Sequence, residues 1–320
     1  MRVLVTGGAG YIGSHLVDRL LALGHAVTVL DDLSTGNVAN LARSRGEINF
    51  VENSILNEKL VNKLVRRADT VFHLAAGVGV GHIVEKPLAA LITNTRGAEN
   101  VIAACVKHEK RLLLASTSEI YGKTSTMPMS EDDDRVLGST TVPRWGYSTA
   151  NAIDEHLALA YAQHGLRMSV VRYFNSFGPR LDPRGYGSVV ANLMRQALDN
   201  EPLTVHGDGT QTRCFTYIDD TVEGTLRAGL DEKAEGIIFN IGNDHETSIN
   251  ELASLVIEMT DSRSTVRHVS YEERYGKGFE DTKRRVPDVR RAATVLGFRA
   301  TVELRDGLAR TLQWWRQTHQ

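Results

Sequence analysis

The chain has 320 residues, 42% hydrophobic and 24% charged, with a formal net charge of −2. This is the composition of a folded water-soluble protein, large enough for one α/β domain or a domain plus a smaller lobe. The near-neutral charge, with no long basic run, excludes a polyelectrolyte argument for nucleic acid, and no apolar stretch reaches the roughly 18 residues of a membrane span.

Residues 2–6, Arg-Val-Leu-Val-Thr, read as a buried strand. The turn Thr-Gly-Gly-Ala-Gly-Tyr-Ile-Gly follows, with Gly7, Gly10, Tyr11, Ile12 and Gly13, and then a helical run through Leu16, Val17, Leu20 and Leu21. A second strand, 26–30, ends at Asp31. Backbone can approach a phosphate closely only where no Cβ intervenes, and the N–H groups and dipole of a helix start favour an anion. A carboxylate at the end of the second strand suits the adenosine ribose hydroxyls of a dinucleotide and repels a 2′-phosphate, so NAD is expected rather than NADP.

Asp32, Ser34 and Gly36 lie in a turn-rich loop. A third strand is expected at 48–51, a helix over 56–65, and a fourth strand at 70–74 that ends in Leu74, Ala75, Ala76 and Gly77. Small residues there leave room beside the sheet for a cofactor. A long helix is expected over 87–107 and a fifth strand at 112–115, followed by Ser116, Thr117, Ser118 and Glu119. The acidic cluster 131–134 reads as a solvated loop. A helix over about 146–164 and a sixth strand at 168–171 complete an alternation that implies a Rossmann-type doubly wound parallel sheet.

Beyond residue 175 strand signals thin out. Helices are expected at 189–198, 249–259, 288–296 and 302–315, a turn at 207–209, and a short strand at 237–241. The expected organisation is an NAD-binding domain over 1–175, with parts of 215–245 completing the sheet. Residues 176–320 then form mainly a smaller C-terminal substrate lobe. Met1 runs directly into the first strand, so no signal peptide is expected. Cys105 and Cys214 supply neither a disulfide framework nor a metal cluster; they fit reduced thiols in a cytoplasmic protein, and no metal is expected.

Ligands of open parallel sheets bind outside the C-terminal strand ends. Thr117, Ser118 and Glu119 follow strand five, Tyr173 and Asn175 stand at and after the end of strand six, and Tyr147 opens the helix between. A tyrosine near a nicotinamide can act as base toward a sugar hydroxyl while hydride leaves the same carbon. Spacing alone favours the plainer reading, in which Thr117 caps a turn, Glu119 lies at the surface and Tyr147 packs in the core.

Several motifs in order resemble the extended short-chain dehydrogenase/reductases of the NAD-dependent nucleotide-sugar epimerase/dehydratase family. They are residues 6–13, 31–36, His73-Leu74-Ala75-Ala76, Asn94 with Gly97, 116–122, 147–156, 172–180, 207–213 and Arg285-Val286-Pro287-Asp288. The resemblance covers nearly the whole chain. It implies that Thr117 and Tyr147 work at C4 of a hexose, and that Asn94 and Tyr173 line the nicotinamide side. Ser54 and Ile55 would hold the adenine. Asn175, Val189 and Arg213 would meet the nucleotide-diphosphate sugar, with UDP as the family default, and Arg285 and Asp288 its phosphate and ribose. A guanidinium suits a diphosphate because it donates two parallel hydrogen bonds. The family also pairs two helices per subunit into a homodimer, and 87–107 and 146–164 are the candidates here.

Two positions depart from the pattern. The family has lysine four residues after the tyrosine, a cation that binds the nicotinamide ribose and keeps the phenol acidic; this chain has Asn151. Cys214 stands where aspartate is usual, a change expected to affect a local hydrogen bond only.

After C4 oxidation the family divides. A dehydratase removes the C5 proton and expels the C6 hydroxyl, giving a 4-keto-6-deoxy or a 5,6-ene sugar. A 4-epimerase returns hydride to the other face of C4. A decarboxylase loses the C6 carboxylate of a UDP-uronate. The Thr117-Ser118-Glu119 triplet resembles dehydratases and decarboxylases, with Glu119 placed for the C5 proton. The 144–156 segment resembles 4-epimerases. The reading tips to a dehydratase, with 4-epimerase the alternative and decarboxylase behind it; Asn151 adds a protein that binds NAD and nucleotide sugar without turnover.

Overall fold

A computed structural model describes residues 1–77, 87–181, 189–275 and 281–318. Seven parallel strands form one sheet. The first six in chain order are β1 Arg2–Thr6, β2 Ala26–Asp31, β3 Asn49–Glu52, β4 Thr70–His73, β5 Arg111–Thr117 and β6 Met168–Tyr173. The seventh, Ile237–Ile241, joins from the second half and pairs with β6. Across the sheet the order is Ile237–Ile241, β6, β5, β4, β1, β2, β3. The winding reverses at β1, between β4 and β2, and such a reversal opens a crevice at the C-terminal strand ends.

Alternation along the strands supplies both faces of the core. Val3, Val5, Val29, Phe72, Leu113 and Phe239 point to one side, and Leu4, Leu30, Val71, Leu112, Leu114 and Val170 to the other. Helix α1, Tyr11–Ala22, covers the first side together with Ile218–Leu230. The other side is covered by α2 Glu58–Arg67, α3 Pro87–Lys107 and α4 Arg144–Ala162. The helices and strands expected up to residue 173 are all present, with ends displaced by up to two residues.

Helix Ile218–Leu230 was not expected from the pattern. Two glycines and two threonines dilute its apolar stripe, yet they let it press onto the sheet. A Cβ on Gly229 would lie 2.3 Å from Phe72, and one on Gly224 2.8 Å from Ile241. The chain beyond residue 175 also holds short strands that the pattern did not reveal, such as 203–206 with 266–269 and 212–214 with 246–248 and 284–285. Its helices include Val189–Leu198, Ile249–Thr260, Arg290–Leu296 and Leu304–Thr318. The Ile249–Thr260 helix starts with a capping box between Ser248 and Glu251.

The acidic cluster is not simply solvated. Glu131 is buried and accepts the Asn240 backbone N–H at 2.8 Å, and Asp132 pairs with Arg291. Asn240, on the seventh strand, also donates from its side chain to the carbonyls of Met129 and Asp288 and accepts from the Tyr121 hydroxyl. One edge residue thus ties together three separate loops. Both cysteines are buried thiols, and among the described residues no helix is long and apolar enough to cross a membrane.

Candidate active site

A cleft of about 2280 Å³ runs along the C-terminal strand ends. It is lined by Gly7, Gly10, Tyr11, Ile12, Gly13, Asp31, Asp32, Ser34, Ile55, Leu74, Ala75 and Ala76 on the cofactor side. Thr117, Glu119, Tyr147, Asn151, Tyr173 and Asn175 line it further along. Strand geometry brings them together: Thr117 ends β5, Tyr173 ends the neighbouring β6, and the register pairs the two residues.

The cradle at the start of α1 fits a pyrophosphate. Gly7 has φ +73°, and a Cβ there would meet the Ala75 backbone N at 2.6 Å. A Cβ on Gly13 would stand 2.1 Å from the Gly7 carbonyl oxygen. No side chain caps the helix at Gly10, so its first N–H groups are left for an anion. Asp31 closes the far end. Its carboxylate accepts the N–H groups of Ala9 and Leu33, each at 2.9 Å, leaving lone pairs for ribose hydroxyls. A side chain at Gly36 would crowd it, at 2.8 Å. These residues fit an NAD molecule, whose nicotinamide would then lie toward Tyr147 and Tyr173.

The side chains of Thr117 and Asn151 stand near the Tyr147 hydroxyl and act to lower its pKa. Burial, and then the charge of Glu119, push the phenol up to about 12, against the lowering effect of these two side chains. The Asn151 amide also donates to the Tyr147 carbonyl at 3.0 Å. Tyr173 hydrogen-bonds Thr225 at 2.9 Å, and burial raises its phenol further. Asn175 sits at φ +32°, with its side-chain oxygen buried and unpaired at the cleft. An orphaned amide there is suited to a ligand.

Glu119 is clasped by Arg285 at 2.8 Å and by Arg144 at 3.2 Å. Burial alone would raise its pKa, but the two guanidiniums outweigh burial and hold it down to about 2. Arg144 also meets Asp281 at 3.1 Å, and Asp281 in turn takes Arg213 at 3.0 Å and the Tyr271 hydroxyl at 2.8 Å.

The remaining expected site residues do not line the cleft. Ser54 accepts the Leu56 N–H in a turn, while its neighbours Asn53 and Ile55 reach the cleft. Asn94 is buried against the backbone of Gly77. Ser118 lies behind Thr117, 3.5 Å from Arg285. Val189 is the first residue of its helix. Arg213 and Arg285, expected at the diphosphate, are turned onto Asp281 and Glu119, and Asp288 pairs with Arg290 at 2.5 Å.

Arg144 was missed although its place was available from the sequence: three residues before Tyr147, it shares that side of the helix. Asp281 had no motif to mark it. Nor did Trp314 and Trp315, which line the cleft from the last helix.

A sequence model of the NAD-dependent epimerase/dehydratase family matches residues 3–242. The chain is 43% identical over 316 residues to a UDP-N-acetyl-α-D-glucosaminuronate decarboxylase of Bacillus cytotoxicus, covering 99% of this chain and 98% of that one. It is 37% identical to UDP-glucuronic acid decarboxylase 1 of Xenopus tropicalis, over 99% of this chain and 72% of that one. Among solved structures it is similar to a UDP-glucose 4-epimerase of Thermotoga maritima crystallised with UDP-glucose, with a TM-score of 0.91, 33% identity and full coverage of both chains. The chain belongs to the NAD-dependent epimerase/dehydratase family and is an NAD-dependent nucleotide-sugar enzyme.

Proposed function

We propose that the protein is a decarboxylase of a UDP-hexuronate, glucuronate or its N-acetylamino counterpart. The observation that carries this reading is the clasp on Glu119. Dehydration, the reading the triplet first suggests, asks Glu119 to pull a proton from C5. A carboxylate held at about 2 by two guanidiniums is a weak base for a carbon acid. Decarboxylation reaches the same C5 carbanion without a base, because the electrons come from the C5–C6 bond. The two curated decarboxylases aligned over almost the whole chain support it.

NAD⁺, when bound, supplies the acceptor for the C4 hydride and gives that hydride back at the end. Tyr147, with Thr117, takes the proton of the C4 hydroxyl. The C4 ketone then stands β to the C6 carboxylate, and a β-keto acid loses carbon dioxide readily. As that bond breaks, charge collects on the C4 oxygen, where the Tyr147 and Thr117 hydroxyls donate to it. C5 takes up a proton and C4 is reduced again, so a hexuronate leaves as a pentose.

A homodimer through α3 and α4 fits the same family. Leu88, Leu91 and Ile153 leave exposed apolar surface on these two helices.

The test incubates the protein with NAD⁺ and UDP-glucuronate or UDP-N-acetylglucosaminuronate, isotope-labelled at C6. Label released as carbon dioxide, with a UDP-pentose left behind, supports the reading. Label retained in an isomer of the same mass would establish the 4-epimerase instead, the second reading, since the Thr117–Tyr147 pair alone suffices for it.

A further inference from the structure

Helix α4 presents Tyr147, Asn151 and Asp154 at i, i+4 and i+7, one above another on a single face. Asp154 is buried, at 6% exposure, and its Oδ1 has no hydrogen-bond partner. Among the described residues no cation pairs with it. A buried carboxyl group with an orphaned oxygen is a costly thing to keep. Its neighbour Glu155 is fully engaged by contrast, by Arg172 at 2.7 and 3.0 Å and by Ser116 at 2.5 Å.

We propose that Asp154 is a positioning residue of the site, a buried carboxyl group that answers whatever stands at 151 and, through it, sets how readily the Tyr147 phenol gives up its proton. With a neutral amide at 151, Asp154 has no counter-ion and holds its own proton at neutral pH. Burial, reinforced by Glu155, supports this by raising it to about 8. In the neutral form it does not oppose phenolate formation at Tyr147. Once ionised it does, and its charge is already among the influences that raise that phenol. Two unit charges about two helical turns apart, roughly 10 Å, shift one another by about one pH unit at an effective dielectric near 20.

The charged groups of the elements packed near it have partners of their own or face solvent. Glu119, after β5, is clasped by Arg144 and Arg285. Arg172 of β6 is taken by Glu155. Arg135 is turned to the carbonyls of Ile120 and Ser148. Arg111, on β5, pairs with Glu235. On the packed helix α3, Arg96, Glu99 and Lys107 are exposed.

The proposal rests on Tyr147 as the acid–base group, and its test separates the two ideas. Infrared difference spectra of the NAD⁺-loaded protein, without substrate, should show a carbonyl band of a protonated carboxyl group that D154N lacks. In N151K that band should vanish at a pH lower by a unit or more. The pH–rate profile of the wild type should flatten where the band is lost, while that of D154N goes on rising. N151K/D154N should melt well below both single variants, because an ammonium is then left without its partner. The idea is overturned if the band is absent at neutral pH, if the D154N profile superimposes on the wild type, or if the double variant is additive. Full turnover by Y147F would refute the acid–base role instead, and the infrared and melting results would still decide the placement of Asp154.

Discussion

Alanine at Gly13 tests the cofactor cradle. A Cβ there would lie 2.1 Å from the Gly7 carbonyl oxygen, 2.9 Å from its carbonyl carbon and 2.9 Å from the Gly8 Cα. All three are backbone atoms, so no side chain can swing aside. Ordinary contact needs about 3.4 Å, so the first turn of α1 must move by more than an ångström from the glycine loop. Overpacking of this kind costs about 1–3 kcal/mol of stability, and the N–H groups aimed at the pyrophosphate lose their convergence. A cofactor loss of about 2 kcal/mol corresponds to a Kd raised roughly thirtyfold. Calorimetric titration with NAD⁺ reads the affinity directly. A thermal melt with and without cofactor reads it again, since ligand at 100 times its Kd stabilises by about 2.7 kcal/mol. Gly146→Ala is the matched control: the nearest atom to a Cβ there is Leu91 Cδ2 at 3.5 Å, inside a helix. That variant should bind NAD⁺ normally and gain about 0.5–1 kcal/mol of stability. If Gly13→Ala bound NAD⁺ with wild-type affinity, the cradle argument would be wrong.

Tyr147→Phe should lower turnover about 10²–10⁴-fold while leaving NAD⁺ affinity unchanged by titration. Glu119→Gln removes the shared partner of Arg144 and Arg285 and should cost about 3–5 kcal/mol in urea unfolding. The same ion pairs make an acid-labile contribution. Glu119 has its pKa depressed from 4.5 to about 2, so its stabilisation is whole above about pH 4.5 and fades as pH falls toward 2. Its size is about 3 kcal/mol, and the stability gap between wild type and Glu119→Gln should close over that window. Arg172→Ala strands the buried Glu155 carboxylate and should cost about 3–5 kcal/mol in the same unfolding assay; a loss below 1 kcal/mol would contradict the burial of that pair.

The half of the fold that holds NAD was legible because its signals are local. A β-branched run, a glycine turn, an amphipathic helix and an acid after the next strand each follow from a few neighbouring residues. Helix Ile218–Leu230 escaped because the sheet demands small residues on its inner face, and small residues look like a weak helix. Outside the main sheet, the strands beyond residue 175 are two to four residues long, too short for a period to declare itself. The site divides in the same way. Thr117, Glu119 and Tyr147, singled out by residue type, do line one cleft, but their partners were not legible. Whether Arg285 reaches a phosphate or Glu119 depends on where residue 285 lies in space, and no spacing along the chain encodes that. No motif marks Asp154, and only its burial and its unpaired oxygen single it out.

Asn240 has a bearing on how the molecule is made. The ribosome releases β6 long before it releases the strand that lies beside it, and until then that edge of the sheet has no neighbour. The loops carrying Tyr121, Met129 and Glu131 likewise wait for Asn240, and the segment at Asp288 comes later still. A nascent chain stalled near its midpoint would therefore expose an unfinished β-edge, a surface that invites aggregation and chaperone capture.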